Sequence, residues 1–190
     1  MVTYSKRGQS VALQRASTRQ WTLKPQDLAV AFKLVALKDV RPSYAALAKQ
    51  LRMSPFEVHA AVQRLISARL AVERDGMIRP IMAALRGFAI SGAPHAYPAV
   101  RGEITVGFPT AHAVSPLKEQ MLADQDAIPV WPHPEGTARG EALLPLYQKL
   151  PLAAKDDVAF YELLALFDAL RIGQAREREL ARRMLEGRLQ

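Results

Sequence analysis

The stretch that decides the fold runs from Ser43 to Pro80 and reads SYAALAKQLRMSPFEVHAAVQRLISARLAVERDGMIRP. Ser43 is a good N-cap for a short helix carrying Leu47 and Leu51 on one face. Ser54 and Glu57 form an S-x-x-E capping box, in which hydroxyl and carboxylate satisfy orphan amides at the start of a second helix. Pro55 takes the first helical position, where no amide hydrogen is required. Two such caps, eleven residues apart, predict two short helices. In the second, Val58, Ala61, Val62, Leu65 and Ile66 recur at helical period and predict a stripe facing a core. Phe56, His59, Ala60, Gln63, Arg64 and Ser67 fall on the other side. After Arg69 and Leu70, the runs Ala71 to Glu73 and Met77 to Ile81 read as strands around Arg74, Asp75 and Gly76. Asp-Gly is a strong hairpin signal, because glycine supplies the positive φ that a tight turn needs.

Upstream, PQDLAVAFKLVAL from Pro25 to Leu37 places Leu28, Phe32 and Val35 at helical intervals and predicts a first helix packed beneath the other two. Three helices followed by a hairpin make a winged helix-turn-helix, expected over residues 23–92. Charge is concentrated at the same end. Residues 1–75 hold 13 Lys plus Arg against 5 Asp plus Glu, whereas the remainder is balanced at 13 and 13, so the whole net charge of +8 lies in the N-terminal part. That asymmetry, coincident with a helix-turn-helix, is the electrostatic footprint expected of a protein that binds a polyanion, double-stranded DNA above all. Residues 1–22 are basic and are expected to form a flexible segment; Lys6, Arg7, Arg15 and Arg19 give it the alternative of an arm along a phosphate backbone.

Met82 to Ile90 continue the apolar pattern as a linker helix until Ser91, Gly92, Ala93 and Pro94, which predicts a domain boundary near residue 92. Residues 93–190 are expected to form an irregular α+β region followed by a C-terminal helical segment, serving interaction or dimerisation. Pro98, Pro109, Pro116, Pro129, Pro132 and Pro134 interrupt any long helix in the middle, where Glu103 to Val106 is one candidate strand. Asp156 and Asp157 then favour a helix start, and Val158, Leu163, Leu166, Phe167 and Leu170 form an apolar stripe. Beyond Gly173, Ala175, Leu180, Met184 and Leu185 continue among alternating Arg and Glu, which read as a solvated, ion-paired face. This last helix is the candidate for pairing with a second copy, since regulators of two-fold DNA sites act as dimers. The fold class expected is therefore mainly α with a small β wing.

Apolar residues make up 49% of the chain, which is the composition of a folded protein. With no cysteine, disulfides, zinc-cysteine sites and thiol catalysis are excluded, and a cytoplasmic location is expected. The polar N-terminus and the short apolar runs suggest neither a signal peptide nor a membrane span. His59, His95, His112 and His133 are scattered without ligand spacing, so no metal is expected. Neither a phosphate-binding glycine loop nor a Gly-x-Ser-x-Gly elbow occurs, and acid pairs such as Asp124 with Asp126 have no partner base; no enzyme activity and no cofactor are expected.

Residues 25–81, with SYAALAKQL, MSPFEVHAAVQRLISARLA and the wing VERDGMI, resemble the winged-helix DNA-binding domains of bacterial regulators, in particular the MarR-like branch. The resemblance covers under a third of the chain. It implies a recognition helix in the major groove, with Ser54, Pro55, Phe56, His59, Ala60, Gln63 and Arg64 facing DNA and Arg74 and Arg79 on the wing. Ser43 and Lys49 complete the expected DNA-binding set. Arg64, with Gln63 and His59, is expected to reach bases, where a bidentate arginine on guanine discriminates by about 1–3 kcal/mol. Lys33, Lys38, Lys49, Arg41 and Arg52 are expected at phosphates or in solvent. The function expected is a sequence-specific transcriptional regulator, a repressor acting as a homodimer.

Two other classes stay open. Stretches such as YPAVRGEITVGFPTA resemble those of helix-turn-helix proteins encoded beside nucleotidyltransferase-like toxins. The resemblance implies an antitoxin that represses its own operon and holds a toxin through its C-terminal half. Alternatively Trp131, Tyr97, Phe108 and Tyr147 line a small-molecule pocket, although structural core is the ordinary role of such aromatics.

Overall fold

Asp27 to Leu34 are buried in every position, so the helix that carries them, α1 (Pro25–Ala36), lies inside the molecule with other elements on all sides. The structure, a computed structural model, describes residues 22–38, 40, 42–120 and 128–190. The expected basic arm, together with Arg41, Asp124 and Asp126, lies outside the described residues.

The local signals produce the elements they specify. Ser43 Oγ accepts from the Ala46 amide at 3.2 Å and starts α2 (Tyr44–Leu51). Ser54 and Glu57 close their box reciprocally, with the Ser54 amide donating to Glu57 Oε2 at 2.8 Å and the Glu57 amide to Ser54 Oγ at 3.2 Å, at the start of α3 (Pro55–Ser67). The strands β1 (Ala71–Arg74) and β2 (Met77–Pro80) pair antiparallel, Val72 opposite Arg79 and Arg74 opposite Met77, around Gly76 at φ +69.

The expected boundary near residue 92 falls within a helical stretch. α4 (Met82–Gly87) runs through a π turn at Phe88–Gly92 into α5 (Ala93–Ala96), so Ser91 and Gly92 widen the helix without ending it. Pro94 stands directly after the π turn, in the first turn of α5. One hydrophobic core joins Leu28, Phe32, Leu51, Val58 and Leu65 to Phe160, Leu163, Phe167 and Leu185 from the C-terminal half. Phe32 meets Phe167 edge to face at 6.1 Å.

The middle region holds more order than its prolines suggest. β3 (Arg101–Pro109) pairs antiparallel with both β4 (Pro129–Pro132) and β5 (Ala138–Leu143), and β4 pairs parallel with β5, so the three strands close on themselves. Gly107 sits where β3 meets both partners; a Cβ there would stand 2.2 Å from the Trp131 carbonyl oxygen, so only glycine permits the approach. The chain then forms α6 (Leu150–Ala154), α7 (Val158–Ile172) and α8 (Ala175–Arg188). Mostly helical with small sheets, the fold is broadly α+β.

A buried carboxylate fastens this three-stranded unit to α7. Asp168, 2% exposed, accepts from Thr110 Oγ1 and from Trp131 Nε1, each at 2.7 Å, and pairs with Arg171. Trp131 is fully buried and packs edge to face on Tyr161 at 5.1 Å. Tyr97 and Phe108 are buried as well, and Tyr147 donates to the Leu51 carbonyl at 2.9 Å, so the four aromatics form core rather than the lining of a ligand pocket. Asp168→Ala leaves the Arg171 guanidinium unpaired in the interior. It is expected to lower the unfolding free energy by about 3–5 kcal/mol in urea titration, against about 1 kcal/mol or less for an exposed ion pair.

Candidate nucleic-acid interface

On α3, steps of four, three and four residues put Phe56, Ala60, Gln63 and Ser67 in one row along the outward side. Phe56 is 80% exposed and is the most exposed large apolar side chain among the described residues. Ala60 and Gln63 are half-buried, and Ser67 is exposed. His59 flanks the row, its ring 5.3 Å from that of Tyr44 at the start of α2. Ser54 and Pro55, also expected at a DNA contact, are exposed at the head of the helix, where Ser54 acts as the cap.

Arg64 is not in the row, and the expectation that it reaches bases is corrected. It is 8% exposed and turns toward α1, where its Nε donates to Asp27 Oδ2 at 2.7 Å and its Nη2 to Asp27 Oδ1 at 2.6 Å. Asp27 is fully buried and also accepts from the Lys24 amide at 2.8 Å, which ties the same carboxylate to the first turn of α1. A two-pronged guanidinium grip on a carboxylate of this kind has fixed geometry as well as charge. The cause is placement: Arg64 lies three residues beyond Ala61, at the margin of the apolar stripe, within reach of the only acidic residue on α1.

Lys33 is corrected in the same way. It is 4% exposed, its Nζ is 2.5 Å from Asp157 Oδ2, and it lies 5.4 Å from the centre of the Phe160 ring. Asp157 also caps α7 by accepting from the Phe160 amide at 3.0 Å, so this ion pair joins the first helix to the C-terminal half. Lys38 is exposed. Lys49 and Arg52 are exposed and line a groove together with Asp156 and Asp157. Arg52 also donates from Nε to the Leu152 carbonyl at 3.2 Å. Ser43 is occupied in capping α2.

The exposed cations that remain near α3 come from three places, the first being Arg69, just past its C-cap. Arg74 and Arg79 share the outer face of the hairpin with Val72 and Met77, because their register puts alternate residues on one side. Lys149, which is outside the expected DNA-binding set, is exposed just before α6, and its charge acts on Glu57 in the first turn of α3. No local signal marks it; it arrives through the anchoring of residues 147–152 on the end of α2 by Tyr147 and Arg52. The Ser54 amide and hydroxyl, with Lys149, hold the Glu57 carboxyl below its ordinary range. Because the folded value is the lower one, the contribution of this cap is complete above the unfolded glutamate value of about 4.3 and is lost as pH falls through the folded value.

The apolar face of α8 is taken up within the chain: Ala181, Leu185 and Leu189 are buried, and α8 packs along α7. Its charged side carries ion pairs of Arg182 with Glu179 and Glu186. Of the apolar residues expected along this helix, Leu185 is buried, Leu180 and Met184 are half-buried and Ala175 is exposed. Among the described residues no cluster of three or more His, Asp or Glu is arranged to hold a metal ion, and no helix is long and apolar enough to cross a membrane.

Arg64→Ala is expected to destabilise the protein by about 3–5 kcal/mol, because it strands a buried carboxylate. The double replacement Asp27→Leu with Arg64→Met should regain most of that loss in urea unfolding. A change below about 0.5 kcal/mol for Arg64→Ala would instead place the guanidinium at the surface.

Compared with protein-family models, with curated proteins and with solved structures, the chain matches none.

Proposed function

We propose that the chain is a sequence-specific double-stranded DNA-binding transcriptional regulator, a repressor that acts in the cytoplasm as a dimer, and that α1 to α3 with the β1–β2 hairpin serve as a winged helix. The observation that carries this reading is the outward row of α3. A well-capped helix leaves an aromatic ring 80% in water with Gln63 behind it, Arg74 and Arg79 are exposed on the hairpin that follows it, and Lys149 acts on its first turn. A ring in water contributes nothing to folding, whereas a helix laid in a major groove uses such a row against base edges. The hairpin arginines and Lys149 then meet phosphates, which position the helix without reading sequence. The concentration of net positive charge in residues 1–75 supports the same polarity.

A second reading has its own support. Val100, Ile104, Val106 and Leu144 are each at least 41% exposed, and Leu144 bonds through its amide to the Val100 carbonyl at 2.9 Å. This apolar surface on the C-terminal half suits a protein contact. In the regulator it is the place for the second copy; in an antitoxin it holds the toxin. Light scattering of the purified chain alone separates them, with a dimer favouring the first and a monomer the second.

Binding of a random-sequence duplex of about twenty base pairs should weaken steeply with salt. Replacing Arg79 or Lys149 by Ala should reduce the log-log slope by about 0.9 for each phosphate ion pair removed, as read by fluorescence anisotropy between low and physiological ionic strength. Undetectable association at low salt would contradict the regulator.

A further inference from the structure

We propose that the outward row of α3 selects A·T base pairs, with Phe56 and Ala60 packing on thymine methyl groups and Gln63 pairing with adenine. This rests on the DNA-binding reading and goes beyond it, because it assigns the base composition of the site from which side chains the fold leaves free. Two basic side chains occur between Pro55 and Ser67, His59 and Arg64. Arg64 is the one whose planar fork matches the O6 and N7 acceptors of guanine, and both of its prongs are spent on Asp27 at 2.6 and 2.7 Å. His59 stands beside the row against the Tyr44 ring. Along the row itself the groups are a phenyl ring, a methyl, a carboxamide and a hydroxyl, none of them charged.

Each of these has a complement in the major groove. The 5-methyl of thymine is the one apolar group exposed there, and it is the natural partner for the Phe56 ring and the Ala60 methyl. The Gln63 carboxamide carries one donor and one acceptor, which pair with N7 and N6 of adenine in a single bidentate contact. Phe56 is placed to act first, since it lies in the opening turn of α3, which the Ser54 and Glu57 box holds rigid at 2.8 and 3.2 Å. The row therefore discriminates by methyl burial and one amide pair.

The test is selection of bound duplexes from a random pool by the full chain, followed by titration of the selected site. A contiguous A·T core in the selected pool is expected. Replacing its thymines by deoxyuridine removes only methyl groups and should weaken wild-type binding about three- to fivefold per buried methyl. Phe56→Ala, at an exposed position that leaves the fold intact, should lose the part of the deoxyuridine penalty that comes from the methyl under its ring and keep the part at Ala60, and Gln63→Ala should relax the preference at one adenine. A G·C core, or a pool retained without base preference, overturns the assignment while leaving DNA binding in place. An unchanged deoxyuridine penalty in Phe56→Ala also overturns it. Failure to retain any duplex at low salt contradicts the DNA-binding reading itself.

Discussion

The grip of Arg64 on Asp27 determines which side of α3 the molecule presents. A guanidinium held at two points by a fully buried carboxylate cannot turn outward without stranding that carboxylate, so α3 is locked in rotation about its own axis relative to α1. With Val58, Ala61, Val62 and Leu65 also committed to the core, the only side left is the row of Phe56, Ala60, Gln63 and Ser67. The pair acts as an orientation device more than as a source of stability, since apolar residues of similar volume could fill the same space. Its consequence for function is a loss: the residue type best suited to guanine is taken out of the proposed reading surface.

Around that lock, the C-terminal half is bound to the first three helices by polar contacts at a few fixed points. Lys33 reaches the cap of α7 at Asp157, and Tyr147 and Arg52 bridge the end of α2 to residues 147–152. The core that runs from Phe32 to Phe167 fills the space between. Residues far apart in sequence thereby serve one surface. Lys149, more than eighty residues beyond α3, comes to lie by its first turn because the anchoring at Leu51 and Leu152 brings it there. In the proposed regulator the C-terminal half thus contributes a phosphate contact as well as the exposed apolar patch around Ile104.

What was legible in the sequence was local. Caps at Ser43, Ser54 and Asp157, the Asp-Gly turn and the stripe of α3 each depend on neighbours within four residues, and each produced its element. The closed unit of β3, β4 and β5 was hidden because β3 pairs with segments more than twenty residues on, and the strands are flanked by prolines, which remove the alternation that marks a strand. The role of Arg64 was hidden for a related reason, since its partner lies 37 residues away on another helix. One signal was available: Asp27 is an acid in the first turn of a helix whose following residues through Leu34 are apolar apart from Lys33, and an acid buried there needs a cation. Arg64, at the edge of a core stripe, was the candidate. Lys33 and Asp157 follow the same logic.

The measurement that bears most directly on these relationships is a nuclear magnetic resonance titration of the labelled chain with the duplex it selects. Backbone amides of Phe56, Ala60, Gln63 and Ser67 should shift on addition of DNA, while the Arg64 side-chain Nε–H remains a protected, slowly exchanging signal whose position does not change. Movement of the Arg64 resonance with the duplex, or a silent α3 alongside shifts elsewhere, would contradict the orientation of the helix and the function built on it.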